Sequence, residues 1–159
     1  MFARLILVVG VLLSTATVSS GYFSNGRWNL TATDGATGPT GTSATVTWSI
    51  VPDGTIVPGH GASNLVAFMD GLYGGGAGPV ESRPWFSLVS QSFDRWTELG
   101  GLEFVHEPAD DGVALGNFAG AVSVRGDIRL GGAFLDGIGG TNGQTGFLPN
   151  ADITFDTGD

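Results

Sequence analysis

The sequence predicts an α+β domain whose sheet is mixed or antiparallel and carries packed helices. Three observations support this. Stretches such as "ATVTWSIV" alternate apolar and polar residues with the period of a half-buried strand. One long stripe of apolar residues in "RPWFSLVSQSFDRWTELGG" recurs at helical spacing. The elements follow one another as strand, helix, strand, strand, strand, which fits a layered α+β arrangement.

The first twenty residues, "MFARLILVVGVLLSTATVSS", hold one Arg, an apolar run from Leu5 to Leu13, and then small and hydroxyl residues. This is the layout of a secretory signal peptide, with cleavage after Ala16 or Ser20. The run is shorter than the roughly 20 apolar residues that span a bilayer. A short membrane anchor is the alternative. The protein is expected to be secreted or extracytoplasmic, with no membrane association once the signal is removed. Residues 21–44, rich in Gly, Thr and Asn, read as a loose lead-in, and Asn29–Thr31 matches a short glycosylation sequon. The domain proper is expected over 45–159.

In "ATVTWSIV", Val46, Trp48 and Ile50 define the buried face of a first strand. "ASNLVAFMDGLYG" reads as a helix capped by Ser63 or Asn64, with Leu65, Phe68, Met69 and Leu72 on one face. In the second helix Pro84 suits the first turn, Trp85, Val89, Phe93, Trp96 and Leu99 form the stripe, and Gly100 and Gly101 supply the stop. "LEFVHE" alternates as a strand with Leu102, Phe104 and His106 inward. "AVSVRGDIRLGG" and "ADITFD" supply two more strands.

Charge and composition remove several function classes. The chain has 159 residues, 15 acids, six Arg and no Lys, for a net charge of −9. Nucleic-acid binding requires clustered cations to displace phosphate counterions, so no nucleic-acid partner is expected. The Gly-rich "GLYGGGAGP" lacks the Lys of a phosphate-binding P-loop. Cysteine is absent, so stability is expected from the core, with help from a metal, rather than from disulfides.

Among residues that could carry chemistry, His60 and His106 lie 46 positions apart without the spacing of a zinc hydrolase. Glu98, Glu103 and Glu107 could supply a glycosidase pair only if two of them faced each other across a cleft. No complete catalytic set is visible. The acidic loops say more. Asp136 sits in "FLDGIGG", and Asp156 and Asp159 close "TFDTGD". Ca²⁺ takes six to eight oxygens from carboxylates and carbonyls, which two such loops could supply together. The competing reading is a set of solvated turn residues.

The ordered series "LVSQSFDRWTELGGLEFVHEPADDG", "GDIRLGG", "FLDGIGG" and "GFLPNADITFD" resembles the matrixin-type zinc metalloproteases of the metzincin group, over about Trp85 to Asp159. The resemblance implies a zincin-like mixed β-sheet with packed helices, incomplete because the active-site helix lies beyond this chain. It implies an exported zinc metalloendopeptidase acting on a polypeptide substrate, of which this chain is the N-terminal part. The H-E-x-x-H-x-x-G-x-x-H helix, with its zinc ligands and general base, is expected after Asp159, so no catalytic residue falls in this chain. Asp136, Asp156 and Asp159 match ligands of a structural calcium. Thr145 and Thr154 stand where the family's second zinc takes His, so that zinc is not expected. Asn142 to Phe147, with Gly146 and Phe147 as substrate-binding residues, would be the edge strand that aligns a peptide, although Gly143 and Gly146 are poor strand formers. The alternative is a non-catalytic exported β-rich module binding calcium or a glycan.

Overall fold

The computed structural model describes residues 28–39, 41–116, 119–146 and 151–158. The signal-peptide reading of residues 1–20, together with Phe147 and Asp159, lies outside the described residues. Among the described residues the fold is mixed α+β: one five-stranded mixed sheet, two α-helices and two small hairpins.

The hairpins arise in segments expected to be loose. β1 (Leu30–Thr31) pairs with β2 (Gly35–Ala36), tied to the domain by Asp34, which accepts the Thr45 N–H at 2.6 Å, and by Trp28, which is buried. β4 (Ile56–Val57) pairs with β5 (Gly61–Ala62), with His60 in the connecting turn.

The large sheet has the order β6 (Glu103–His106), β3 (Thr45–Ile50), β7 (Ile128–Ala133), β9 (Ile153–Asp156), β8 (Gly143–Thr145). All pairs are parallel except β8 with β9. Strand alternation gives its two faces different chemistry. Val46, Trp48, Ile50, Ile128 and Leu130 point to the helices and form the main core with Leu65, Trp85 and Phe93. Thr47, Ser49, Arg129 and Thr154 point the other way, and all are buried.

α1 (Leu65–Tyr73) follows the expected face at Leu65, but Leu72 is exposed. Its N-terminal N–H groups are not met by the predicted caps. Asp53 reaches over from the preceding loop and accepts from Val66 and Ala67 at 3.0 and 2.9 Å. Ser63 instead accepts the Gly132 N–H, and Asn64 accepts from Thr157.

α2 (Phe86–Gly100) stops at Gly101, whose φ of 68° is the left-handed conformation that glycine adopts without penalty. Its stripe is only half used. Trp85 and Phe93 are buried, with Phe93 stacked on Trp48 at 4.4 Å between ring centroids, whereas Trp96 and Leu99 are 65% and 67% exposed. The last turn still meets β6, where Thr97 Oγ1 accepts the Phe104 N–H at 3.0 Å, but Trp96 and Leu99 are left uncovered.

The expected strand at "AVSV" is a tight turn closed by one bridge between Ala121 and Arg125, with Ser123 at a φ of 62°. The chain straightens only at Ile128, because Gly126 must pass against the Trp48–Ser49 backbone, where a Cβ would lie 2.5 Å from the Ser49 nitrogen.

Among the described residues no helix is long and apolar enough to cross a membrane.

Candidate functional site

The most developed site lies where β9, β8 and the 134–140 loop meet. Asp156 ends β9, and its carboxylate gathers that loop. Oδ1 accepts from the N–H groups of Leu135 and Gly158 at 3.0 and 2.9 Å, and Oδ2 from Gly137 at 3.1 Å with a longer bond from Asp136 at 3.5 Å. The Leu135 bond and then the others, acting against burial, hold its pKa down to about 2. Asp136 is exposed and accepts the Thr141 N–H on both oxygens, at 2.8 and 3.1 Å.

Asp136 thus lies in the loop that the Asp156 carboxylate, at the end of β9, gathers. Their donor chemistry, carboxylates beside turn carbonyls, suits a hard cation. The fit is uneven, however. Asp136 retains free lone pairs, while those of Asp156 are engaged by backbone N–H groups that a cation would have to displace. Among the described residues no three acids or histidines stand close enough to hold a metal.

β8 occupies the sheet edge, where the sequence placed it, over Gly143–Thr145. The bonds from Asp156 N to Asn142 O and from Gly146 N to Asp152 O mark the residues whose backbone faces β9. By alternation, the backbone groups of Gly143 and Thr145 face outward from the sheet edge. Under the helix face of β9 an apolar trough of about 390 Å³ runs between the helices and the sheet, lined by Met69, Trp85, Leu88, Trp96 and Phe155, with Asp156 at its rim.

On the polar face, Arg129 is buried in a two-pronged bond to Asp110, which also accepts from Ser49. Asp127 accepts from the Thr47 N–H and hydroxyl and from the Ala32 N–H. These carboxylates fasten the 107–126 segment and the first hairpin to the sheet. Sequence reasoning missed them. The one available signal was an Arg at an inward-alternating position of "DIRL", which requires a buried acid partner.

The remaining candidates do not assemble. His106 packs against Trp48 and Phe86 with Nδ1 3.6 Å from Glu81, far along the fold from His60 in its hairpin turn. Burial lowers the His106 pKa against the opposing pull of Glu81 and Glu107. Glu98 is exposed and pairs with Arg95, Glu103 is exposed, and Glu107 is buried, accepting from Ala109 and Ser123. Thr145 bonds nearby carbonyls and Thr154 is buried; neither offers a nitrogen ligand.

Comparisons with protein families, curated proteins and solved structures found no match to this chain.

Proposed function

We propose that this chain is the N-terminal portion of an exported zinc-dependent metalloendopeptidase of matrixin type, inactive by itself, with a calcium site at the 134–140 loop. The observation that carries the reading is the antiparallel edge strand Gly143–Thr145 lying beside an apolar trough that ends at Asp156. An extended substrate would add to that edge by main-chain hydrogen bonds. A further helix, following Asp159, would cover the trough and carry the zinc ligands. The chemistry zinc would supply when held by that helix is a Lewis acid for the scissile carbonyl and for a water. This chain's residues align the peptide at β8, and Asp156 fixes the loop beside it. Calcium would be held by Asp136, by turn carbonyls and by Asp159.

The test is the reading frame downstream of Asp159, followed by a peptide-cleavage assay of the longer product with and without a zinc chelator. A frame lacking H-E-x-x-H soon after Asp159, or chelator-insensitive cleavage, rejects the reading.

The second reading, a non-catalytic calcium- or glycan-binding module, is favoured by the burial of β3 and β7 on both faces. It requires a sharp thermal transition of the 159-residue chain without binding of hydrophobic dye. The protease reading requires dye binding at the open trough.

A further inference from the structure

Beside β8, on the polar face of the sheet, a second cavity of about 440 Å³ opens between the β4–β5 hairpin and the sheet edge, with Gln144, Gly146, Asp152 and Thr154 along its sheet side. Among the described residues, Asp152 is the only acid lining it. Its Oδ2 accepts the Gly116 N–H at 2.8 Å and its Oδ1 the Arg129 N–H at 2.9 Å, so each oxygen keeps a lone pair. The nearby guanidinium of Arg129 is committed to Asp110 by two bonds, so it offsets the Asp152 charge only in part. Among the described residues lining the cavity, Asp152 carries the one charge, and it is negative. Burial raises the Asp152 pKa, outweighing the two backbone bonds, and a cation would relieve that cost.

The register shows how a cation could arrive. Gly146 stands opposite Asp152, its N–H bonded to the Asp152 carbonyl. By alternation a side chain at 146 would project on the same face as the Asp152 side chain, between it and the sheet edge; glycine places none there. A peptide laid along β8 is two strand spacings from β9, about 10 Å. A long side chain and the Asp152 carboxylate close that distance between them, and a short side chain does not.

We propose that this cavity is a specificity subsite for a basic side chain, Lys or Arg, of an extended peptide added to β8, with Asp152 as its counter-charge and Gly146 as its passage. This rests on the edge-strand reading above and adds the substrate's charge to it.

The test is a fluorescence-anisotropy titration of the full chain with three labelled extended hexapeptides that differ at one central position: lysine, norleucine or glutamate. The lysine peptide is expected to bind about tenfold more tightly than the norleucine peptide, as one charge-assisted bond provides. The glutamate peptide should bind most weakly, and the differences should shrink in high salt. Asp152→Asn should bring the lysine peptide to the norleucine level. Should that variant not fold, Gly146→Leu closes the passage with the carboxylate in place, and the same collapse is expected. Equal binding of lysine and norleucine peptides to the unaltered chain, or a lysine preference that survives the substitutions, overturns the subsite while leaving the edge strand intact. Binding of none of the three overturns the edge-strand reading itself, and the subsite with it.

Discussion

The Arg129 guanidinium and the Asp110 carboxylate meet in two parallel bonds, Nη2 to Oδ1 at 2.6 Å and Nε to Oδ2 at 2.9 Å, with their side chains 0% and 2% exposed. Desolvating two charges offsets much of their attraction, so the pair is worth less as a source of stability than as a constraint. It fixes where the 107–126 segment lies on the sheet. Arg129→Leu leaves Asp110 buried without a counter-charge and should cost about 3–5 kcal/mol in urea denaturation. Arg129→Leu with Asp110→Leu should be less destabilised than the sum of the two single changes. Strict additivity would show that the pair is not coupled.

Acid should loosen the same face. Burial opposes the ionisation of Asp110, but the bonds from Arg129, Ser49 and Gly112 outweigh it and keep its pKa below 3.8. Asp156 is lower still, at about 2. Groups depressed in the folded state contribute stability that is present above the unfolded value of 3.8 and lost as pH falls through the folded values. The Asp152 pKa is raised, so its protonation removes a penalty and partly opposes the loss. We expect Tm to fall between about pH 4 and about pH 2, and to fall less in Asp156→Asn, whose starting stability is lower.

His106 supplies a separate dependence nearer neutrality. Among the described residues its buried Nε2 has no hydrogen-bond partner, and burial lowers its pKa from 6.5. The unfolded chain therefore takes up the proton first. Stability is full above pH 6.5 and declines as pH falls from 6.5 toward the lower folded value. His106→Phe keeps the ring between Trp48 and Phe86 and removes the titration. Its Tm should be flat between about pH 7 and pH 5, where the unaltered chain's falls. Matching slopes would assign the effect to another group.

Two aromatics on one helical stripe should behave differently. Phe93→Ala removes a ring that stacks on Trp48 inside the core and should cost about 3–5 kcal/mol. Trp96→Gln, three residues on, should change the unfolding free energy of this chain by less than about 0.5 kcal/mol, because the ring is 65% exposed. The comparison, made by urea denaturation, distinguishes a helix whose second half is uncovered from one packed along its length.

That helix shows what the sequence could tell and what it could not. Period alone located α2, β3, β6, β7 and β9, because each alternates or repeats against a face that is buried in the fold. It could not show that Trp96 and Leu99 would stay exposed while Thr97, between them, bonds to the Phe104 N–H of β6, since periodicity marks an apolar stripe and not what covers it. "AVSV" alternates like a strand, yet Gly126 and the left-handed Ser123 turn it back. At the candidate site, the strand ending in Asp156 was legible in "ADITFD", whereas the bonds from the 134–140 loop to its carboxylate were not. The roles of Asp53, Asp110, Asp127 and Asp152 were not, because each accepts from backbone or side-chain groups far away in sequence. Asp127 and Thr47, 80 positions apart, are one such pair.

Asp136, within the 134–140 loop, and Asp156, which fastens that loop to β9, should respond differently to substitution. Asp156 already binds four N–H groups without a metal, whereas Asp136 binds one. Asp156→Asn should therefore lower Tm in chelator as well as in calcium, since an amide offers one acceptor oxygen where the carboxylate offers two. Asp136→Asn should have little effect in chelator but should abolish any rise in Tm on adding millimolar calcium, because a ligand that binds only the folded state stabilises it by mass action. Thermal melts of the unaltered chain and both variants, in chelator and in calcium, give four independent comparisons. A calcium-dependent rise that persists in Asp136→Asn would move the cation away from this loop. No rise in the unaltered chain would leave Asp156 as a fastening for the loop, with hydrogen bonds alone holding the turn against β9.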